Sequence, residues 1–256
     1  MPAKRVIPCL DVKDGCVVKG IQFKHLRGLG SPVELARRYD AEGADEVVFL
    51  DISASEEGRS TQESWVRQVA RELTIPFTVG GGVAKPEDFT RLLRNGADKV
   101  AVNTAAVLNP ELVRRAAALV GSQCVVAAVD AKRDRDCGWR VFIKGGKEAT
   151  GLAALPWLQR LQELGAGEIL LTSMDRDGTL EGFDLELLRE AAKLDIPVIA
   201  SGGAGTEMHF LEALEAGADA VLAATLFHEG TLPIAQLKQF LSDRGQLMRL
   251  EEPCKR

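Results

Sequence analysis

The sequence predicts a single α/β domain in which strand and helix alternate eight times, and three observations carry that reading. Eight short apolar runs rich in β-branched residues punctuate the chain: Arg5 to Asp11, Glu46 to Asp51, Pro76 to Gly80, Lys99 to Asn103, Cys124 to Asp130, Glu168 to Ser173, Pro197 to Ser201 and Ala220 to Ala224. Helical patterns lie between most of them, which implies parallel strands joined by right-handed crossovers. The third observation is an internal repeat. Asp11 corresponds to Asp130 at an offset of 119, Glu46 to Glu168 at 122, and Gly96-Ala97-Asp98 to Gly217-Ala218-Asp219 at 121. Together these predict one (β/α)8 TIM barrel over residues 1–256, made of similar half-barrels of about 1–122 and 123–256. An open doubly wound sheet is the alternative, and the lack of a GxGxxG loop after the first strand counts against it.

Taken in order, the first strand ends in Cys9-Leu10-Asp11-Val12-Lys13-Asp14-Gly15, an apolar run closed by an acid, and a long loop is expected from Val12 to Gly30. Ser31-Pro32-Val33-Glu34 reads as a capping box with proline in the first turn, and Asn109-Pro110-Glu111 as a second cap with the same proline logic. Helices end at glycine in a recurring phrase, at Gly43, Gly96, Gly165 and Gly217, where a left-handed residue turns the chain into the next strand. A second long loop follows the fifth strand, and Trp139 to Ile143 with Gly145-Gly146 reads there as a small hairpin.

Asp11 alone is better explained as a turn cap or a partner for a lysine than by chemistry. Its echo in Val129-Asp130-Ala131-Lys132 changes that, because the repeat sets two carboxylates facing each other across one barrel mouth. Such a pair suits general acid/base work, one member donating while the other accepts. Glycine pairs after strands three and seven, Gly81-Gly82 and Gly202-Gly203 (behind Ser201), precede helical patterns whose free amides can hold phosphate. Asn103-Thr104 and Ala224-Thr225 follow strands four and eight at the matching offset, so a substrate with a phosphate at each end is expected. Thr172, Asp177 and Gly178, in the loop after strand six, lie between the two phosphate sites, while Lys19 in the first long loop could close over a bound anion. At the opposite end, counting back by twos from the strand tips points Arg5, Glu46, Lys99 and Glu168 into the barrel, where two acids and two bases could form a closed ring.

Composition narrows the class. The formal charge of −5 and a sequence pI near 5.4, with 5% aromatic residues, argue against nucleic acid as a partner. Five cysteines without CxxC spacing indicate neither a disulfide framework nor a thiol zinc site; no metal and no cofactor are expected. No apolar stretch suits a signal peptide or a membrane span, and a cytoplasmic protein is the expectation.

These phrases, with Val18-Lys19-Gly20, Thr78-Val79-Gly80-Gly81-Gly82, Asn103-Thr104-Ala105, Leu171-Thr172-Ser173 through Asp177-Gly178-Thr179 and Ser201-Gly202-Gly203-Ala204-Gly205, closely resemble the cyclase subunits of imidazole glycerol phosphate synthase. The resemblance implies that Asp11 and Asp130 are the acid/base pair of a lyase. That enzyme uses ammonia to convert a phosphoribulosyl-formimino aminoimidazole carboxamide ribonucleotide (PRFAR) to imidazole glycerol phosphate and aminoimidazole carboxamide ribotide (AICAR). It further implies a separate glutamine amidotransferase subunit on the N-terminal face, forming a heterodimer, with Arg5, Glu46, Lys99 and Glu168 as the ammonia gate. The chain departs from the family in its first loop, where Gly28 and Ser31 stand in place of acids. A sister isomerase with the same paired aspartates and a non-catalytic phosphate-binding barrel are the competing readings.

Overall fold

The computed structural model describes residues 2–21, 24–52, 54, 61 and 63–250. Strand β1 (Arg5–Lys13) runs into a hairpin of β2 (Cys16–Ile21) and β3 (Lys24–Gly30), then α1 (Pro32–Ala41), β4 (Val47–Asp51), α2 (Glu63–Ala70), β5 (Phe77–Gly80), α3 (Pro86–Arg94) and β6 (Lys99–Val102). There follow α4 (Thr104–Leu108), α5 (Glu111–Val120), β7 (Val125–Asp134), β8 (Gly138–Ile143), β9 (Glu148–Ala153), α6 (Ala154–Glu163) and β10 (Glu168–Ser173). The chain closes with α7 (Leu185–Ala191), β11 (Val198–Ser201), α8 (Glu207–Glu215), β12 (Ala220–Ala223), α9 (Thr225–His228) and α10 (Ile234–Ser242).

Eight of these strands pair side by side and in parallel, in the order β1, β4, β5, β6, β7, β10, β11, β12, and β12 returns to β1. The sheet is therefore the closed (β/α)8 barrel that the sequence predicts. The pleat sorts its side chains into two cores. Ile7, Cys9, Val48, Ala101, Val126, Leu170, Ile199, Ala220 and Leu222 fill the barrel itself, whereas the alternate residues, such as Val6, Leu10, Phe49 and Val100, pack outward on the helices. On β1, β4, β6, β7, β10 and β11 the inward residues share parity with a charged residue at one barrel end or a polar one at the other, so a single alternation builds both ends; on β12 the matching positions are Ala218 and Ala224.

The glycine phrases do what their spacing predicts. Gly43, Gly96, Gly165 and Gly217 have φ of 84°, 104°, 96° and 107°. The aspartates that follow are structural: Asp45, Asp98 and Asp219 accept from the amides of Val6, Phe77 and Val198 at 2.9, 2.9 and 3.1 Å. Each thereby fixes the start of an adjacent strand. The two long loops differ from expectation. Residues after Val12 form a hairpin that folds back on β1, pairing Asp11 with Val18 and Lys13 with Cys16. Asp14-Gly15 turns it, with φ of 51° and 77°, the positive pair that a type I′ turn needs. The second long loop is the expected hairpin enlarged, since β7 runs four residues past Asp130 and pairs antiparallel with β8, which pairs with β9.

Helix starts also differ in detail. Ser31 caps α1 by accepting from the Val33 amide at 3.2 Å, one residue earlier than a capping box would have it. The expected Asn109 side-chain cap is not made. Pro110 is already helical at φ −57°, and the Leu112 amide is satisfied by the Asn109 backbone carbonyl at 3.0 Å. At the barrel's underside the chain ends meet, where the Lys4 amide donates to the Leu247 carbonyl at 2.8 Å. Among the described residues no helix is long and apolar enough to cross a membrane.

The close approach of neighbouring helices gives a direct test. A Cβ at Gly217 would lie 2.4 Å from the Ala192 Cβ, whereas one at Gly138, also at positive φ, would meet nothing within 4 Å. Gly217→Ala should lower the thermal midpoint several degrees more than Gly138→Ala, given roughly 2–4 °C per kcal/mol for a chain of this size. Equal losses in thermal denaturation would mean that backbone conformation alone, not the helix contact, selects glycine.

Candidate active site

The barrel has a charged floor. Arg5 bonds Glu46 Oε2 at 2.8 Å and also pairs with Glu168, and Lys99 Nζ bonds Glu46 Oε2 at 2.8 Å and Glu168 Oε2 at 2.7 Å. The four side chains expected to point inward thus form a closed ring of alternating sign. Its acids are buried, at 2% and 6% side-chain exposure, while the cations keep about a fifth of their surface in water, 23% and 20%. The Thr78 hydroxyl adds a bond to Glu46 Oε1 at 2.6 Å, so that carboxylate is satisfied on both oxygens. Thr78 was not among the residues singled out from sequence, although it has the inward parity of Gly80.

At the other end, Asp11 and Asp130 occupy the inward tips of β1 and β7. Thr172 of β10 is in register with Asp130 on one side and Ser201 of β11 on the other, so three of the expected site residues stand abreast. Burial is the main reason the Asp11 carboxyl is pushed up to about 7, and repulsion from Asp177 adds to it. Asp130 is pushed up to about 6 by the same two causes, partly offset by a bond from Asn103 Nδ2 at 2.9 Å. Ala224, which stands in the repeat where Asn103 does, offers no amide. That difference separates two otherwise matched carboxyls. Asp177 is itself raised by burial. The same surroundings, with the Asp11 and Asp177 charges, push the buried Cys9 thiol well above its ordinary value, so it is no nucleophile near neutral pH.

The glycine turns on either side of the mouth are demanded first by the chain's own packing. A Cβ at Gly81 would sit 2.1 Å from the Asp51 carbonyl oxygen, and one at Gly202 would sit 2.7 Å from that of Ser173, the matching residue of the repeat. Gly82 has φ of 62°, and a Cβ at Gly203 would lie 2.1 Å from the Gly182 carbonyl oxygen. Gly178, at φ 75°, has open space around it, so conformation alone selects it. Asn103 and Ala224 stand just before the short helices α4 and α9, which Thr104 and Thr225 open. The Thr104 hydroxyl accepts from the Lys144 amide at 3.0 Å, which ties this corner to the β8–β9 turn. The Lys19 side chain lies outside the described residues. A groove of about 980 Å³ on the outer wall, lined by Arg67, Arg71, Arg91 and Arg94, contains none of the expected site residues.

With this geometry established, likeness to known proteins is informative. A family model described as histidine biosynthesis protein matches residues 5–233. The chain is 57% identical over 252 residues to the imidazole glycerol phosphate synthase subunit HisF of Geobacillus kaustophilus, covering 97% of this chain and all of that protein. It is 55% identical over 253 residues to the HisF subunit of Clostridium botulinum, covering 98% of this chain and the full relative. The HisF subunit of Methanopyrus kandleri is 54% identical over 267 residues, covering 96% of this chain and 98% of that protein. The chain therefore belongs to the histidine biosynthesis protein family, and within it groups with the HisF subunits of imidazole glycerol phosphate synthase, an enzyme of that pathway.

Proposed function

We propose that this chain is the cyclase of a two-subunit, cytoplasmic synthase, taking ammonia and PRFAR to imidazole glycerol phosphate and AICAR. The observation that carries the reading is the pair of buried carboxyls at the mouth, pushed up to about 7 at Asp11 and about 6 at Asp130. Both can exchange protons near neutrality, and the Asn103 bond favours the charged form at Asp130. Asp130, favoured as the anion by Asn103, takes a proton as ammonia adds and the imidazole ring closes, the ketone oxygen leaves as water, and Asp11 gives a proton to the departing AICAR nitrogen. No metal or redox cofactor enters this scheme.

The two-ended substrate suits a barrel built as two halves, about 1–122 and 123–256. Gly81, Gly82, Asn103 and Thr104 would hold one phosphate, and Ser201, Gly202, Gly203, Ala224 and Thr225 the other. Thr172, Asp177 and Gly178 would face the middle of the substrate, and Lys19 would cover it from the hairpin. Ammonia would enter from the opposite end, where the ring of Arg5, Glu46, Lys99 and Glu168 closes the floor. The relatives are named as subunits, which supports a second chain here too, a glutaminase docked over that floor.

Asp11→Asn and Asp130→Asn should each lower ammonium-dependent turnover by about 10²-fold or more while KM stays within about tenfold, since the phosphates supply most of the binding. The wild-type kcat/KM profile should rise through about 6 as Asp130 ionises and fall through about 7 as Asp11 loses its proton. Normal turnover in either variant would make the pair structural. No product from PRFAR at millimolar ammonium would overturn the assignment and leave the isomerase reading standing.

Lys99→Ala opens the ring without touching the mouth. With the glutaminase present, glutamine-dependent activity should fall more than ammonium-dependent activity. Equal losses in the two assays would mark the ring as structural reinforcement alone.

A further inference from the structure

The hairpin made by β8 and the part of β7 beyond Asp130 lies outside the barrel ring, contributes none of the residues assigned above, and yet is bonded to both ends of the loop that carries Asp177. At the loop's start, the Arg133 amide of β7 donates to Asp175 Oδ2 at 2.6 Å. At its end, the indole Nε1 of Trp139 on β8 donates to Asp184 Oδ2 at 2.9 Å. Trp139 is 4% exposed, and the Arg133 guanidinium stacks 4.3 Å over its ring. Asp184 is the helix cap of α7, accepting from the Leu187 amide at 3.1 Å through its other oxygen, and Ser173 also reaches it.

Between these anchors the loop lies directly on the glycine turn after β11. The Gly182 amide donates to the Gly203 carbonyl at 2.8 Å. Cβ atoms at Gly203 and Gly205 would each sit 2.1 Å from a loop carbonyl, those of Gly182 and Leu180. Leu180 is held at φ 61° with about half its surface in water, a conformation that an unrestrained leucine avoids. Asp184 further shares a small cavity wall with Ser173 and Ser201. The loop thus has a fixed height above the mouth, set from outside the barrel.

We propose that Trp139 and Asp184 are positioning residues: their hydrogen bond, spanning hairpin and loop, sets where Asp177 sits against the acid/base pair and how the loop backs the Gly202–Gly203 phosphate turn. The proposal rests on the reading of that turn and of Asp177 as substrate-binding. Neither residue touches substrate. Loosening the bond should therefore leave the chemical groups intact but misplace them.

Trp139→Phe removes the N–H and keeps a ring for Arg133 to stack on, and Asp184→Asn keeps a competent helix cap while setting an amide against the indole. In ammonium-dependent kinetics each should raise KM for PRFAR about threefold to tenfold, the worth of a lost hydrogen bond, with kcat within about twofold. Both limbs of the pH profile should also move to lower pH, because a displaced Asp177 repels Asp11 and Asp130 less. Amide exchange across residues 176–182 should quicken, and inorganic phosphate should bind more weakly in calorimetry. Unchanged KM and unchanged pH limbs, whatever happens to the melting temperature, would overturn the proposal. If wild type itself does not turn PRFAR over, the cyclase reading fails separately. Exchange rates and phosphate affinity then decide: both unchanged in the variants overturns the positioning role, and both altered upholds it.

Discussion

Three carboxyl groups, Asp11, Asp130 and Asp177, are drawn partly out of water in one barrel mouth, and water would hold the charge of each more readily. That desolvation is the constraint to which the surrounding structure answers. Burial raises all three, and the Asp177 charge raises the other two further. A carboxyl whose folded pKa lies above its unfolded value of about 3.9 weakens the fold as pH rises. The penalty is absent below about 4 and, for Asp11, complete only above about 7. Under the proposed chemistry, stability is given up where a proton has to move near neutrality. The Asn103 amide on Asp130, with alanine in the corresponding place by Asp11, breaks the symmetry that would leave the two groups indistinguishable.

At the floor the balance has the opposite sign. Glu46 and Glu168 are less exposed than the mouth carboxyls, yet each meets two cations, and Glu46 also meets the Thr78 hydroxyl. Paired in this way they close the barrel with their oxygens satisfied. Both ends are consequences of one strand pleat, because Arg5 and Asp11 lie on the same face of β1 with Ile7 and Cys9 between them. A one-residue slip of that strand would send the ring arginine and the mouth aspartate outward together.

Much of this was legible in the sequence because the period of a strand is so rigid. Alternation alone picks out the four ring residues, and the repeat alone picks out Asp130 as the partner of Asp11. The β2–β3 hairpin was missed because Lys19-Gly20 interrupts its apolar run, although Asp14-Gly15 is a strong turn signal. The Asn109 cap was misjudged because proline at the next position already begins the helix. What was not legible depends on distance in the fold. Asp177 reads as a loop residue, and its charge acts on two strands remote in sequence. Trp139 and Asp184 are 45 residues apart, and no local pattern announces their bond.

Asp11 and Asp130 are expected to titrate well above ordinary carboxylates, with Asp130 held the lower of the two by its Asn103 bond. Carbon-13 titration of the aspartate carboxyls by NMR, in the free protein, tests it most directly. A side-chain carboxyl near 7 that disappears in Asp11→Asn, and another near 6 that disappears in Asp130→Asn, are the expected result. In Asn103→Ala the lower of the two should move up toward the higher. Both aspartates titrating below about 5, in the ordinary carboxylate range, would contradict it.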